Sequence, residues 1–224
     1  MNVSVIIPSA GSGNRFGQLK QFKLLNGEPL VILTIKPFLE IQEIVEIIIV
    51  APSNDIVFLD QHLKTKSYQK QIKLIEGGKR RQDSITNGLK LVDKKSKLVC
   101  IHDAVRPFIT KDKIKACIKK CQKFDGAILG VKSTDTVKIS NNNIVKKTID
   151  REKVWLVQTP QVFNKNKLIK SIKNAEEKNI NATDESFLME KMGYKIKLVK
   201  GDRNNIKITF NSDWKMAKCL MENY

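Results

Sequence analysis

The residues best suited to binding chemistry lie near the amino terminus, where two glycines are followed by two cations. Residues 3–7 form an apolar, β-branched run, which is typical of a buried strand in a parallel sheet. Gly11 and Gly13 follow, and because glycine has no Cβ, several backbone N–H groups could converge there on an anion. Arg15 and Lys20 lie just downstream. A strand, a bare backbone loop and two cations are suited to holding a polyphosphate.

The glycine spacing by itself leaves three interpretations open. As a dinucleotide-binding fingerprint it is weak, because the third glycine, Gly17, comes one residue late and no acidic residue ends the next strand. A P-loop needs Gly-Lys-Ser or Gly-Lys-Thr after its second glycine, and the segment has neither. The third interpretation is a tight turn between a strand and a helix with two exposed cations. The presence of Arg15 and Lys20 favours binding of a triphosphate.

Two further polar segments directly follow predicted strands. Gly78 and Arg81 come after the strand at residues 72–75, and Asp103 comes after the next strand. Because ligands bind at the carboxyl ends of parallel strands, we expect these segments and the glycine loop to share one cleft. Plainer interpretations remain for single residues: Asp103 as a cap, Arg106 as half of a surface ion pair, and Lys207 as a solvated lysine.

These segments need a scaffold, and the alternation of apolar strands and amphipathic helices indicates one. It predicts an α/β fold with a doubly wound, mostly parallel, Rossmann-like sheet. Thr183 is expected to cap a short helix over the acidic pair Asp184-Glu185. The main predicted strands are 3–7, 46–50, 72–75, 98–101, 127–131 and 195–199, and the main predicted helices are 30–39, 56–63, 168–177 and 212–221.

The composition is that of a globular protein. The chain has 224 residues, 41% of them hydrophobic, which is enough for one well-buried core. It has no run of 18 apolar residues, so we expect no membrane span, and its start resembles neither a signal nor a transit peptide. The four cysteines lack zinc-site spacing and are expected to be free thiols. These features predict a cytoplasmic protein.

The net charge of +18 raises the question of nucleic acid. The lysines are scattered and not clustered with aromatic residues, which make up only 6% of the chain. We therefore expect most lysines to be solvated and no nucleic-acid partner. Small polyanionic substrates would gain from the same positive field.

The alternating pattern breaks at residue 133, where two short β-like runs flank a polar turn. Residues 136–139 and 144–149 surround Ser140-Asn141-Asn142-Asn143, which predicts a hairpin. A two-stranded hairpin is marginal in water by itself, so a projecting arm would need a partner. The plainer alternative is a hairpin lying on its own domain. We expect one domain of residues 1–224, with a β-arm at about 133–152 used for dimerisation.

Taken together, the motifs resemble those of the 2-C-methyl-D-erythritol 4-phosphate cytidylyltransferase family of the non-mevalonate isoprenoid pathway. The resemblance covers nearly the whole chain, and the joint occurrence of these motifs is highly specific. The motifs are residues 9–15 with 20–22, 77–78 with Arg81 and Ser84, 102–107, 159–161, 182–185 and 205–209.

The resemblance implies a nucleotidyltransferase that uses CTP and Mg²⁺. A phosphate oxygen of 2-C-methyl-D-erythritol 4-phosphate would attack the α-phosphorus of CTP. The products would be 4-diphosphocytidyl-2-C-methylerythritol and pyrophosphate. A phosphate monoester has a second pKa of about 6 and is largely dianionic at pH 7, so it needs no protein base. The site must supply placement and charge neutralisation instead.

The resemblance also implies roles for individual residues. The catalytic positions are Arg15, Lys20, Arg151 and Lys207. The nucleotide-binding positions are Ala10, Gly11, Gly13, Gly78, Arg81, Ser84, Asp103 and Ala104. The acceptor would be gripped by Arg106, Thr136, Arg151 and Lys207, and Asp103 would lie near the metal. Thr136 and Arg151 belong to the arm, which in this family reaches into the neighbouring subunit of a homodimer.

Two departures from the family pattern are visible. Only four residues separate Arg15 from Lys20, so the loop must close tightly. Lys79 follows Gly78 where an acidic residue is common, which bears on cytosine selectivity if its side chain contacts the base. The alternatives are a ribitol-5-phosphate cytidylyltransferase and, in another class, a non-catalytic basic module that binds nucleotides or nucleic acid.

Overall fold

A mixed seven-stranded sheet organises the part of the chain that the computed structural model describes, which is residues 1–11, 16–17, 19–65 and 68–222. The strands are β1 (Val3–Pro8), β2 (Leu24–Leu25), β3 (Glu28–Pro29), β4 (Ile44–Ala51), β5 (Gln71–Glu76), β6 (Leu98–Ile101), β7 (Gly126–Lys132), β8 (Val137–Asn141), β9 (Ile144–Ile149), β10 (Trp155–Asn164) and β11 (Ile196–Lys200). The helices are α1 (Leu30–Leu39), α2 (Ser53–Lys64), α3 (Arg81–Lys90), α4 (Lys111–Cys121), α5 (Lys165–Glu177), α6 (Glu185–Lys191) and α7 (Asn211–Met221). Short 3₁₀ helices occupy Lys20–Phe22 and Arg151–Lys153. Among the described residues, no helix combines the length and apolar character needed to cross a membrane.

The strand order is β11-β7-β10-β6-β1-β4-β5. β1 pairs in parallel with β4 and β6, β4 with β5, and β11 with β7. Only β10, inserted between β6 and β7, runs antiparallel to its neighbours in this sheet. The predicted mostly parallel sheet is therefore confirmed.

Helices cover both faces of the sheet because the central strands are apolar on both sides. Ile7 of β1 packs in one buried cluster with Ile35 of α1 and Ile118 of α4. Ile6, its neighbour on β1, packs in a second cluster with Ile85 of α3. The alternation of side chains along the strand sends these two residues to opposite faces. This is the doubly wound arrangement that the sequence predicts.

One local prediction needs correction. Thr183 is not the cap of α6. Asp184 occupies that position, and its carboxylate accepts the backbone N–H of Phe187 at 3.0 Å. A carboxylate also suits the positive end of the helix dipole.

Strands β8 and β9 form a two-stranded sheet of their own. Their side chains are largely exposed, including the apolar ones of Ile139, Ile144 and Val145. Asn142 and Asn143 at the tip have φ of 47° and 61°, the left-handed conformation that a tight hairpin turn needs and that asparagine tolerates. The hairpin thus exposes apolar surface that its own chain leaves uncovered.

Candidate active site

A cleft of about 520 Å³ opens beyond the carboxyl ends of β1, β5 and β6. Its described lining carries five cationic side chains but a single carboxylate, that of Asp103. A polyanion would be held there by charge as well as by backbone. The predicted site residues that line it are Ala10, Gly11, Lys20, Gly78, Arg81, Ser84, Asp103, Ala104 and Lys207, and the other two cations are Lys79 and Arg80.

The loop after β1 is fixed from two sides. Ser9 donates from its backbone nitrogen and its hydroxyl to the carbonyl of Val50, at 2.7 and 2.8 Å. The side-chain amide of Gln21 donates to the carbonyls of Ser9 and Gly11, at 2.7 and 3.0 Å. Lys20 is adjacent to Gln21, so the same bonds position the start of its side chain. The predicted residues Gly13 and Arg15 lie outside the described residues.

Lys20 reaches the far wall of the cleft. Its Nζ donates to the carbonyl of Thr209 at 3.1 Å, and it lies 5.5 Å from the centre of the Phe16 ring. The lysine is nearly buried, which limits the positions that its ammonium group can take. It therefore connects the first loop of the chain to the last one.

The segment after β5 can approach the first loop only because it contains glycine. A Cβ on Gly77 would lie 2.2 Å from the Cβ of Ala10, which no real pair of atoms tolerates. The backbone nitrogen of Gly78 donates to the hydroxyl of Ser84 at 3.1 Å. Ser84 in turn donates to the carbonyl of Arg80 at 3.2 Å. These bonds shape the wall on which the predicted cytosine-binding residues lie.

Arg81, in the first turn of α3, lies between two acidic residues. Its guanidinium lies 2.7 and 2.8 Å from the two carboxylate oxygens of Glu185 and 3.8 Å from Oδ1 of Asp103. Burial raises the pKa of Glu185, although the charge of Arg81 opposes the shift. The short double contact with Arg81 argues that Glu185 is ionised at neutral pH.

Asp103 is the electrostatic centre of the cleft. Its Oδ2 lies 3.0 Å from Nζ of Lys207 and 3.3 Å from Nε of Arg106. Burial alone would raise the pKa of Asp103, but Lys207, Arg81 and Arg106 outweigh it and hold that pKa well below its usual range. Asp103 therefore stays ionised throughout the neutral range.

A chain of buried hydrogen bonds supports Asp103 from behind. Nε2 of His102 lies 3.1 Å from the carbonyl of Arg106, which can only accept, so Nε2 carries the proton. Burial lowers the pKa of His102 to about 4, so the ring is neutral at pH 7 and Nδ1 is an acceptor. The hydroxyl of Thr159 donates to Nδ1 at 3.0 Å and accepts the backbone N–H of Asp103 at 3.0 Å. One neutral imidazole thus fixes the backbone at both Asp103 and Arg106.

The last loop is attached to the same network. Nδ2 of Asn205 donates to the carbonyl of Thr159 at 2.8 Å. The backbone carbonyl of Asn205 accepts a hydrogen bond from the guanidinium of Arg106 at 2.7 Å. The backbone of Ile208 donates to the carbonyl of Val105 at 3.0 Å. Lys207 lies between these two fastened positions, which holds its ammonium group beside Asp103.

Three predicted acceptor-binding residues lie away from this cleft lining. Arg106 is buried behind Asp103, so it is not the surface ion pair considered as an alternative. Thr136 and Arg151 are exposed on the arm side, where the guanidinium of Arg151 donates to the carbonyl of Thr134 at 3.0 Å. Lys207, by contrast, lines the cleft and pairs with Asp103, unlike an ordinary solvated lysine.

Several residues that shape the site have no role predicted from the sequence. Gln21, Thr159 and Glu185 all belong to the quoted motifs, so their presence there was the available signal. Their contacts join segments far apart in the chain, and no local pattern identifies such pairs.

The family model for 2-C-methyl-D-erythritol 4-phosphate cytidylyltransferase matches residues 3–223. The chain belongs to this family. It is 39% identical over 225 residues to the cytidylyltransferase of that name from Caldanaerobacter subterraneus subsp. tengcongensis, with 99% of both chains covered. It is 40% identical over 226 residues to the one from Clostridium acetobutylicum, covering 99% of this chain and 98% of the other.

A solved structure extends the similarity to three dimensions. The crystal structure of 4-diphosphocytidyl-2C-methyl-D-erythritol synthase from Anaerococcus prevotii matches with a TM-score of 0.89 at 32% identity, covering 99% of this chain and 98% of that one. The predicted family, fold and nucleotidyltransferase activity are thereby confirmed. The names of these cytidylyltransferase relatives do not favour the ribitol 5-phosphate alternative.

Proposed function

We propose that this member of the cytidylyltransferase family transfers CMP from CTP to 2-C-methyl-D-erythritol 4-phosphate in the cleft around Asp103. The composition of the cleft lining is the main support for this proposal: it combines five cations and one carboxylate with the backbone of Ala10, Gly11 and Gly78. Such a lining suits two phosphorylated substrates, a triphosphate and a phosphate monoester. Gly78 lines this cleft, and because its N–H is already donated to Ser84, its carbonyl is the backbone group that would accept a hydrogen bond from a base.

The reaction needs placement and charge neutralisation more than acid–base chemistry. The acceptor phosphate is largely dianionic at pH 7, since its second pKa is about 6, and an oxygen of it attacks the α-phosphorus in line with the departing pyrophosphate. Lys20 neutralises charge on the triphosphate, with Arg15 in the same role by family resemblance. Lys207 holds the acceptor phosphate from the side of Asp103, and Arg106 supports that carboxylate from the buried side. Fixed cations lower the barrier because they need no reorganisation during the reaction.

The donor set of the cleft fits a Mg²⁺ ion that arrives with CTP. Mg²⁺ is usually held by one or two carboxylates together with substrate phosphates and water. Asp103 supplies one carboxylate, and the described residues contain no group of three or more acidic, histidine or cysteine side chains that would form a separate metal cage. Asp103 would therefore hold the ion together with the triphosphate, and the bound ion would supply further neutralisation of phosphate charge.

We also propose that the β8–β9 hairpin is a dimerisation arm. Its exposed apolar residues, Ile139, Ile144 and Val145, call for a covering surface, and a second copy of the chain is the occupant implied by the family resemblance. In a two-fold dimer, Thr136 and Arg151 of one subunit would complete the acceptor site of the other. Their exposure outside the described cleft lining supports this arrangement.

The remaining expectations form part of the same proposal. Residues 1–224 act as one nucleotidyltransferase domain with the arm at about 133–152. Within the described residues the four cysteines are not joined in disulfides, which suits a reducing cytoplasm. Neither nucleic acid nor a membrane is needed as a partner.

The test is release of pyrophosphate from CTP and Mg²⁺ with each of two acceptors. The expected result is a higher kcat/KM for 2-C-methyl-D-erythritol 4-phosphate than for ribitol 5-phosphate. Faster turnover of ribitol 5-phosphate would replace the acceptor assignment. Tight binding of CTP without turnover of either acceptor would support the non-catalytic module instead.

A further inference from the structure

Two carboxylates compete for Arg81, and the distances show which one holds it. The guanidinium contacts both oxygens of Glu185 at 2.7 and 2.8 Å, whereas its nearest approach to Asp103 is 3.8 Å. The second distance exceeds that of a hydrogen bond between ions. Arg81 is therefore committed to Glu185, although Asp103 lies within reach of a small movement.

Glu185 cannot follow Arg81 because it is fixed in the wall of the molecule. Its side chain is only 3% exposed, in the first turn of α6. The preceding residue, Asp184, caps that helix and also accepts a hydrogen bond from Nε2 of Gln161 on β10 at 2.8 Å. The start of α6 is thus tied to the sheet, and Glu185 presents its charge to Arg81 from a rigid position.

The two carboxylate oxygens of Asp103 therefore have different neighbours. Oδ2 has two cations, Lys207 at 3.0 Å and Arg106 at 3.3 Å. The shortest contact between Arg81 and Asp103 involves the other oxygen, Oδ1, at 3.8 Å. As long as Arg81 stays with Glu185, Oδ1 keeps room for another ligand.

We propose that Glu185 is a positioning residue that holds Arg81 off Asp103 and so keeps Oδ1 available to a divalent cation accompanying the triphosphate. This inference rests on the proposed function. Without the charge of Glu185, the nearest carboxylate for Arg81 is Asp103, and the planar guanidinium is well matched to bind a carboxylate through two hydrogen bonds. Arg81 would then close onto Oδ1 and exclude the cation.

The proposal predicts effects of opposite sign on two ligands. Glu185→Gln keeps the shape of the side chain and removes one negative charge near the cleft. Metal-free CTP, a polyanion, should bind as tightly as before or more tightly. The divalent cation should bind more weakly, since residues that orient metal ligands typically change metal affinity by about 10- to 100-fold.

The experiment measures the Kd for CTP by calorimetry in EDTA and again in excess Mg²⁺. The Kd in EDTA divided by the Kd in Mg²⁺ reports how strongly the enzyme–CTP complex takes up the ion. In Glu185→Gln we expect the ratio to fall by about tenfold while the Kd in EDTA does not rise. Glu190→Gln is the matched control, because Glu190 is exposed on the same helix and carries the same charge, and its ratio should equal that of the wild type.

A double variant separates positioning from general damage to the fold. Adding Arg81→Gln to Glu185→Gln removes the cation that would occupy Oδ1, so the ratio should recover toward that of the wild type. A ratio that is unchanged in Glu185→Gln, or that stays low in the double variant, would overturn the proposal. Loss of affinity for both forms of CTP alike would make Glu185 a merely structural residue. Failure of the wild-type protein to bind CTP at all would instead overturn the proposed function.

Discussion

The ammonium nitrogen of Lys207 lies 3.0 Å from Oδ2 of Asp103, which joins the last loop of the chain to the loop after β6. Arg106 shares the same oxygen at 3.3 Å from the buried side. Asp103 thus holds Lys207 at the cleft, and Arg106 in turn holds Asp103 in place from the buried side. A phosphate that enters the cleft meets a lysine whose position is already set, which reduces the cost of arranging charge during the reaction.

Replacing Lys207 with glutamine should therefore impair the reaction strongly. We expect Lys207→Gln to lower kcat/KM for cytidylyl transfer by about 10²- to 10³-fold, the usual loss for one well-placed donor. Lys119→Gln is the control, because Lys119 is exposed on α4 away from the cleft lining and the charge change is the same. Equal activity of the two variants would return Lys207 to the class of solvated surface lysines.

Thr159 should matter through its hydroxyl. Thr159→Val keeps the shape but leaves the N–H of Asp103 and Nδ1 of His102 without their partner, and a buried unpaired group costs about 1–3 kcal/mol. We expect a lower melting temperature and a fall in kcat/KM, because the backbone of Asp103 loses its support. Thr159→Ser, which retains the hydroxyl, should recover most of both. If Thr159→Ser were as impaired as Thr159→Val, the methyl group of Thr159 and not its hydroxyl would account for the losses in stability and activity.

The protonation of His102 makes a prediction about pH. Its pKa is about 4 in the fold, lowered by burial, against 6.5 ordinarily, so the unfolded chain binds a proton that the folded chain does not. The stabilisation due to the neutral ring is complete above about pH 6.5 and is lost as the pH falls toward 4, a change of roughly 3 kcal/mol. The free energy of unfolding, measured with denaturant at several pH values, should fall more steeply between pH 6.5 and pH 4 in the wild type than in His102→Gln.

Nitrogen NMR of His102 provides the direct check. The ring should remain neutral from pH 8 to pH 5 with the proton on Nε2, as the carbonyl of Arg106 requires. The wild type and His102→Gln share every other titratable group, so the difference between their unfolding curves reports His102. A titration of His102 near pH 6.5 would contradict the buried, neutral assignment.

Sequence patterns predict the parts of this fold that depend on neighbours along the chain. The apolar runs that became β1, β4 and β6 are readable because strands buried on both faces are continuously hydrophobic. The motifs at the strand ends indicated one cleft, and the structure places Gly78 and Asp103 in its lining. The cap of α6 was assigned to Thr183 when the adjacent Asp184 supplies it, because both residue types suit the position and only the local geometry decides.

The remaining features depend on contacts between distant segments. The antiparallel insertion of β10 between β6 and β7 follows from packing of the whole sheet. The pairing of Arg81 with Glu185 depends on the start of α6 being tied to β10 through Asp184 and Gln161. Neither hydrophobic periodicity nor residue spacing carries information on which distant side chains will meet.

The arm makes a prediction about subunits. Lys207→Ala and Arg151→Ala should each be nearly inactive alone if the site combines Lys207 of one subunit with Arg151 of the other. In a mixed two-fold dimer, one site would then carry both changes and the other none. Random pairing makes roughly half of the dimers mixed, so co-expression in equal amounts should restore about a quarter of normal activity.

The opposite arrangement gives a clearly different result. If Arg151 served its own subunit, every site in every dimer would contain one changed residue, and no activity would return. Lack of recovery in mixed dimers that are verified to have formed would therefore exclude the trans-acting arm. A monomer at working concentrations would exclude it as well.

The transfer of CMP to the acceptor phosphate is tested most directly by the fate of an oxygen isotope. The acceptor, 2-C-methyl-D-erythritol 4-phosphate, is labelled with ¹⁸O in its phosphate and incubated with unlabelled CTP and Mg²⁺, and the products are followed by phosphorus NMR. Attack of the acceptor on the α-phosphorus places ¹⁸O in the bridge of the new diphosphate and leaves pyrophosphate unlabelled. Label in pyrophosphate, an unlabelled bridge, or no pyrophosphate at all would contradict cytidylyl transfer in the Asp103 cleft.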